Sequence, residues 1–192
     1  MAISLSKGER ISLEKVSPNL QAAFIGLGWD TKVTDTGHDF DLDSSTFLLG
    51  ADEKLISDKH LIFYNNLTSP DPDQSVKQMG DNKTGAGEGD DEALIVDLRK
   101  VPDDVAKIVI TVTIHEAEKR KQNFGQVRNA FVRLMDVQTK EELVRYDLAE
   151  DYSTETAMIM AELYRKDGDW RLNAVGEGYE GGLPALVDRY QR

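Results

Sequence analysis

Five acids crowd residues 80–92: Asp81, Glu88, Asp90, Asp91 and Glu92, with Lys83 as the single base. Gly85, Gly87 and Gly89 occupy alternate positions in the middle of that stretch. Carboxylates this close repel one another, so an ordered loop here needs a cation to hold it. The glycines let backbone carbonyls turn toward the same cation. Oxygen donors with no Cys or His beside them suit calcium better than zinc or copper. The same composition also describes a solvated, flexible hairpin, because Gly-rich acidic segments are often disordered. On these residues alone both readings stand.

Two known loop types do not fit. Asp81 and Glu92 stand at positions 1 and 12 of a window of EF-hand length, but Lys83, Gly85 and Ala86 fill positions 3, 5 and 6. An EF-hand needs oxygen ligands at 3 and 5, glycine at 6 and helices on both sides. The flanks at 61–64 and 93–98 read instead as strands. A phosphate-cradling loop would end in Gly-Lys-Ser/Thr and would not be lined with acids.

A second group of acids lies upstream. Asp39, Asp41 and Asp43 alternate with Phe40 and Leu42. That period of two puts three carboxylates on one face of a strand and two core residues on the other. A solvent-facing strand can show the same alternation, but aspartate is depleted in strands and neighbouring like charges there are costly without a counter-ion, which favours a metal. Residues 71–92 hold seven acids and two bases; with Asp39, Asp41 and Asp43 they account for −8 of the net −12. Two such segments lead us to expect two calcium ions, and a field of this sign repels nucleic acid.

The elements that must position these acids are short and β-rich. Strand patterns recur at 3–5, 11–13, 21–27, 39–49, 60–66, 93–98, 105–114, 127–135, 142–148, 156–164 and 170–175, with turn signals between them. Residues 67–92 show almost no apolar pattern and read as one long loop, a length that is usually functional or disordered. Residues 183–190 read as a terminal helix. The expected fold is an antiparallel β-sandwich with a long acidic Gly-rich metal-binding loop and a short C-terminal helix, one domain over residues 1–192.

Hydrophobic content of 40% and charged content of 30% describe an ordinary soluble chain. No run is long enough to span a membrane and no signal-like N-terminus is present, so a cytoplasmic protein without membrane insertion is expected. Zero cysteines exclude disulfide and thiol chemistry. His38, His60 and His115 have no ligand spacing, and no serine lies in Gly-x-Ser-x-Gly. No catalytic constellation emerges.

Several motifs together resemble one family in the right order. They are Gly26-Leu27-Gly28-Trp29-Asp30, Phe40-Asp41-Leu42-Asp43, Phe63-Tyr64-Asn65-Asn66, the 80–92 loop, Gln122-Asn123-Phe124-Gly125-Gln126-Val127 and Ser153-Thr154-Glu155-Thr156-Ala157. They look like the TerD family of tellurium-resistance and general stress proteins. The resemblance implies a calcium-binding β-sandwich with no established catalytic activity. By position it marks Asp41 and Asp43 in the strand, and Asp81, Asn82, Glu88, Asp90, Asp91 and Glu92 in the loop, as metal ligands. Asp39 lies outside the motif and ranks second. Where the family often has a Pro-Asp-Gly-type turn after its Asn-Asn, this chain has Pro70-Asp71-Pro72-Asp73, a departure at the front of the loop.

The resulting expectation is a calcium-dependent binding or sensing module in a stress response. Its partners would be other tellurium-resistance proteins, membrane-associated ones included. The alternatives are an enzyme using the ion as a Lewis acid on a phosphate or oxyanion, and a structural protein that assembles through its sheets. The lack of any thiol stands against direct tellurite reduction.

Overall fold

The computed structural model describes residues 2–31, 40–81, 89–149 and 152–191. Among them run twelve strands and three short helices. In order they are β1 (Ile3–Leu5), β2 (Arg10–Ser12), α1 (Leu13–Val16), β3 (Ala22–Thr31), β4 (Leu42–Leu49), β5 (Leu61–Ile62), β6 (Val76–Asp81) and β7 (Glu92–Asp97). After these come β8 (Lys107–Ile114), α2 (Ala117–Arg120), β9 (Val127–Asp136), β10 (Glu142–Asp147), β11 (Ala157–Lys166), β12 (Asp169–Tyr179) and α3 (Gly182–Tyr190). One sheet has the order β1-β10-β9-β3-β7-β6 and the other β2-β12-β11-β8-β4-β5. No helix among the described residues is long and apolar enough to cross a membrane.

The β-branched run Ile108-Val109-Ile110-Thr111-Val112-Thr113-Ile114 forms β8, paired on one side with β11 and on the other with β4. Its alternate residues serve two cores. Ile108, Ile110, Val112 and Ile114 join Ile25, Leu27, Leu94, Val96, Val132 and Leu134 of the facing sheet in the main core. Val109 turns outward, to a smaller core with Phe47, Ile159, Val175 and Leu186. That second core is what α3 covers, and the Tyr190 ring meets the Phe47 ring at 5.0 Å. A strand apolar on both faces is what a sheet needs when it has another layer on each side.

The structure departs from the sequence expectation at the N-terminal strands, within residues 67–92 and at residues 60–66. β1 pairs parallel with β10, whereas the other ladders are antiparallel. The chain's first two strands belong to different sheets, so they cannot form a hairpin. Residues 67–92 are not one long loop, because β6 lies inside them. Its inward positions are Val76 and Gln78, and a polar residue on the core face erases the period of two. The 60–66 strand is also shorter than expected. Phe63 and Asn66 exchange backbone hydrogen bonds of 2.9 and 2.8 Å, and the Asn66 amide donates to the Leu61 carbonyl at 2.7 Å, so the chain turns there.

Phe47 is fully buried under α3. We expect Phe47→Ala to cost ~3–5 kcal/mol in urea unfolding, as a large core truncation with little room to collapse.

Candidate metal centre

Residues 90–92 approach the sandwich where β3 ends and β7 begins. They can do so because β3 carries Gly26-Leu27-Gly28 there. A Cβ at Gly26 would overlap the Asp90 carboxylate; one at Gly28 would overlap the Phe131 ring and stand 3.0 Å from the Gly89 carbonyl. The two glycines leave a bare saddle on the outer face of β3, and the chain crosses it. The Asp91 amide then donates to the Leu27 carbonyl at 2.7 Å.

From that saddle the three consecutive acids go in three directions. Asp90 lies on the outer face, where Arg133 donates to both its oxygens, Nε to Oδ1 and Nη2 to Oδ2, each at 2.8 Å. The same guanidinium donates through Nη1 to Glu142 at 3.1 Å. Asp91 is buried and accepts from the Trp29 amide at 2.8 Å. Burial pushes its carboxyl above the usual range; the Trp29 hydrogen bond pulls back, and the Asp30 and Asp90 charges push the same way as burial. Glu92 points into the sandwich and is 2% exposed.

Glu92 joins the two sheets. Its Oε2 accepts from the Ser44 hydroxyl of β4 at 2.8 Å and from the Gln78 amide of β6 at 2.9 Å. The Gln78 amide nitrogen also donates to the Ser44 hydroxyl oxygen at 2.6 Å. The other end of that amide, Gln78 Oε1, is buried and has no hydrogen-bond partner among the described residues. A buried acceptor left open costs free energy, unless a donor or a cation meets it.

Asp43 is on the other side of the second sheet. Leu42 is buried in the main core and Ser44 reaches inward to Glu92, so Asp43 between them faces outward. There it stands 3.9 Å from His115 and lines an open cleft of about 590 Å³ with Tyr64, Thr113, Gly182 and Pro184. The backbone of β4 therefore separates Asp43 from Glu92. Asp41 precedes the strand, half-buried, and its carbonyl accepts from the His115 amide at 2.8 Å. Asp81 ends β6 with its backbone paired to Glu92. Its side chain, with Asp39, Asn82 and Glu88, lies outside the described residues.

Among the described residues, no three acidic or histidine side chains converge closely enough to hold an ion by themselves. The structure brings Asp91 and Glu92 to one end of the sandwich, sets Asp90 on Arg133, and places Asp43 elsewhere. Ser44, Gln78 and Arg133 are the residues that sequence reasoning did not reach. The glycine spacing in Gly26-Leu27-Gly28 was the available signal that something crosses β3 at close range.

A family model for the TerD domain matches residues 1–190. General stress protein 16U of Bacillus subtilis (strain 168) is 55% identical over 190 residues, 99% of this chain and 97% of that protein. Tellurium resistance protein TerD of Serratia marcescens is 53% identical over 190 residues, again 99% and 97%. Among solved structures, a homologue of telluride resistance protein (TerD) from Streptomyces coelicolor A3(2) superposes with a TM-score of 0.69 at 20% identity. That match covers 88% of this chain and 96% of the homologue, and it supports the fold.

Ser44→Ala would leave Glu92 short of one of its donors inside the sandwich. We expect a loss of ~1–3 kcal/mol in urea unfolding. Ser153→Ala, at an exposed position, should stay within about 0.5 kcal/mol of the parent.

Proposed function

The chain belongs to the TerD family, and on that footing we propose that it is a calcium-binding module of the stress-response and tellurium-resistance kind. In this reading it acts by binding and not by catalysis. The observation that carries the proposal is the polar group at the end of the sandwich. There a buried carboxylate, Glu92, and a buried amide oxygen without a partner among the described residues, Gln78 Oε1, stand where an acidic stretch of sequence enters β7.

The donor chemistry fits a hard cation. Asp91, Glu92 and Gln78 offer oxygen, and the loop residues Asp81, Asn82 and Glu88 would add more. Mixed carboxylate, amide and carbonyl oxygens suit the larger, irregular shell of calcium better than the strict octahedron of magnesium. When bound, the ion supplies charge neutralisation and cross-linking of the loop. Trp29 orients Asp91 through its amide, while Ser44 and Gln78 hold the Glu92 carboxylate in place. Asp41 and Asp43 belong to a second place, because β4 stands between Asp43 and Glu92. A stoichiometry of two ions would then mean one at the loop and one at the Asp41–Asp43 end of β4.

Titration calorimetry on chelator-treated protein tests the reading. Calcium should bind, and more tightly than magnesium; equal or tighter magnesium binding would reject it. An ion that binds only the folded state should add about 2.7 kcal/mol per site at ~100 Kd of free calcium, seen as a higher melting temperature. Asp91→Asn should weaken the loop site. Asp43→Asn should lower the stoichiometry from two to one while the loop site persists.

A further inference from the structure

We propose that Arg133 is a positioning residue for the loop site, and that Asp90, which it grips, is a strut of that site and not a metal ligand. The affinity part rests on the calcium reading above; the geometry does not. Arg133 of β9 is the cross-strand partner of Gly26 of β3. Gly26 has no side chain, so the space above it takes the Asp90 carboxylate, which is 11% exposed. Arg133 holds that carboxylate with two parallel hydrogen bonds and is itself steadied by Glu142. A bidentate guanidinium fixes orientation as well as charge.

Asp90 directly precedes Asp91. Fixing it on the outer face fixes where the chain turns in, so that Asp91 meets the Leu27 carbonyl and the Trp29 amide, and Glu92 enters the sandwich. Arg133 also neutralises one of three adjacent like charges. The loop end is thereby set before any ion arrives, and less ordering is left for binding to supply.

The two possible roles of Asp90 make opposite predictions for Arg133. If Asp90 were a ligand, Arg133 would compete with calcium and its removal would tighten binding. If Asp90 is a strut, removing Arg133 loosens Asp91 and Glu92 and weakens binding.

The variants are Arg133→Met, which keeps length and removes charge, Asp90→Asn, the two combined, and Glu142→Gln, which loosens the guanidinium without touching Asp90. In chelated protein, hydrogen exchange at the Trp29 and Asp91 amides should quicken roughly tenfold in Arg133→Met and less in Glu142→Gln. The Val109 amide in the other sheet should be unchanged, as a control on global unfolding. Calcium affinity should fall ~10–100-fold in Arg133→Met, the usual cost of losing a residue that orients a ligand. Asp90→Asn should fall by a similar factor, and the combined variant no further. Tighter calcium binding by Arg133→Met, or unchanged exchange at both amides, overturns the proposal. A parent protein that binds no calcium would reject the calcium reading, and the exchange measurement would still decide whether Arg133 positions the loop end.

Discussion

Three carboxylates in a row cannot share one environment, and the structure around residues 90–92 is arranged by that constraint. Each acid receives a different neighbour: a guanidinium for Asp90, a backbone amide for Asp91, and a hydroxyl with a side-chain amide for Glu92. Sending them apart requires the chain to cross β3 at a distance no side chain would permit. The bare positions Gly26 and Gly28 follow from that requirement. The bulk removed from the outer face is matched by bulk on the inner one, where Ile25, Leu27 and Trp29 pack into the main core. One strand thus gives a seat to the loop on one face and an anchor in the core on the other.

Burial of Glu92 has a consequence for the whole sandwich. A carboxylate that is 2% exposed loses hydration and must be compensated by specific partners. Two of those partners come from different sheets, Gln78 from β6 and Ser44 from β4. A polar contact between two apolar layers adds less net stability than the apolar contacts around it. What it adds is register: Ser44 meets Glu92 only at one relative position of the sheets, whereas leucines can slide.

The sequence was most legible where one physical rule acts alone. The β-branched run of β8, the alternation of Phe40 and Leu42 into the core, and the amphipathic end at 183–190 each follow from local pattern. The observed strands and α3 lie close to those expectations. The strand at Val76–Asp81 was hidden because Gln78 occupies an inward position for the sake of Glu92, a partner 14 residues away. Its pattern makes sense only after the partner is known. The partner of Asp90 was hidden for the opposite reason. Next to Asp91 and Glu92, Asp90 reads as one more acid of a cluster, and only the pairing of β9 with β3 brings Arg133 over it. Composition locates the charge; topology assigns it.

Ser44 and Asp43 are adjacent in β4, and adjacency in a strand means opposite faces. Ser44 reaches inward to Glu92 at the loop end, while Asp43 reaches outward to the cleft beside His115 and the start of α3. In the calcium reading, an ion that draws on Glu92 therefore acts on β4 through the Ser44 hydroxyl, one residue from the acid that lines the cleft. A rigid strand has little freedom to absorb such a pull over a single peptide unit. Occupancy of the two places would be linked only if an ion at one changed the affinity of the other, and such a coupling acts by thermodynamic necessity equally in both directions.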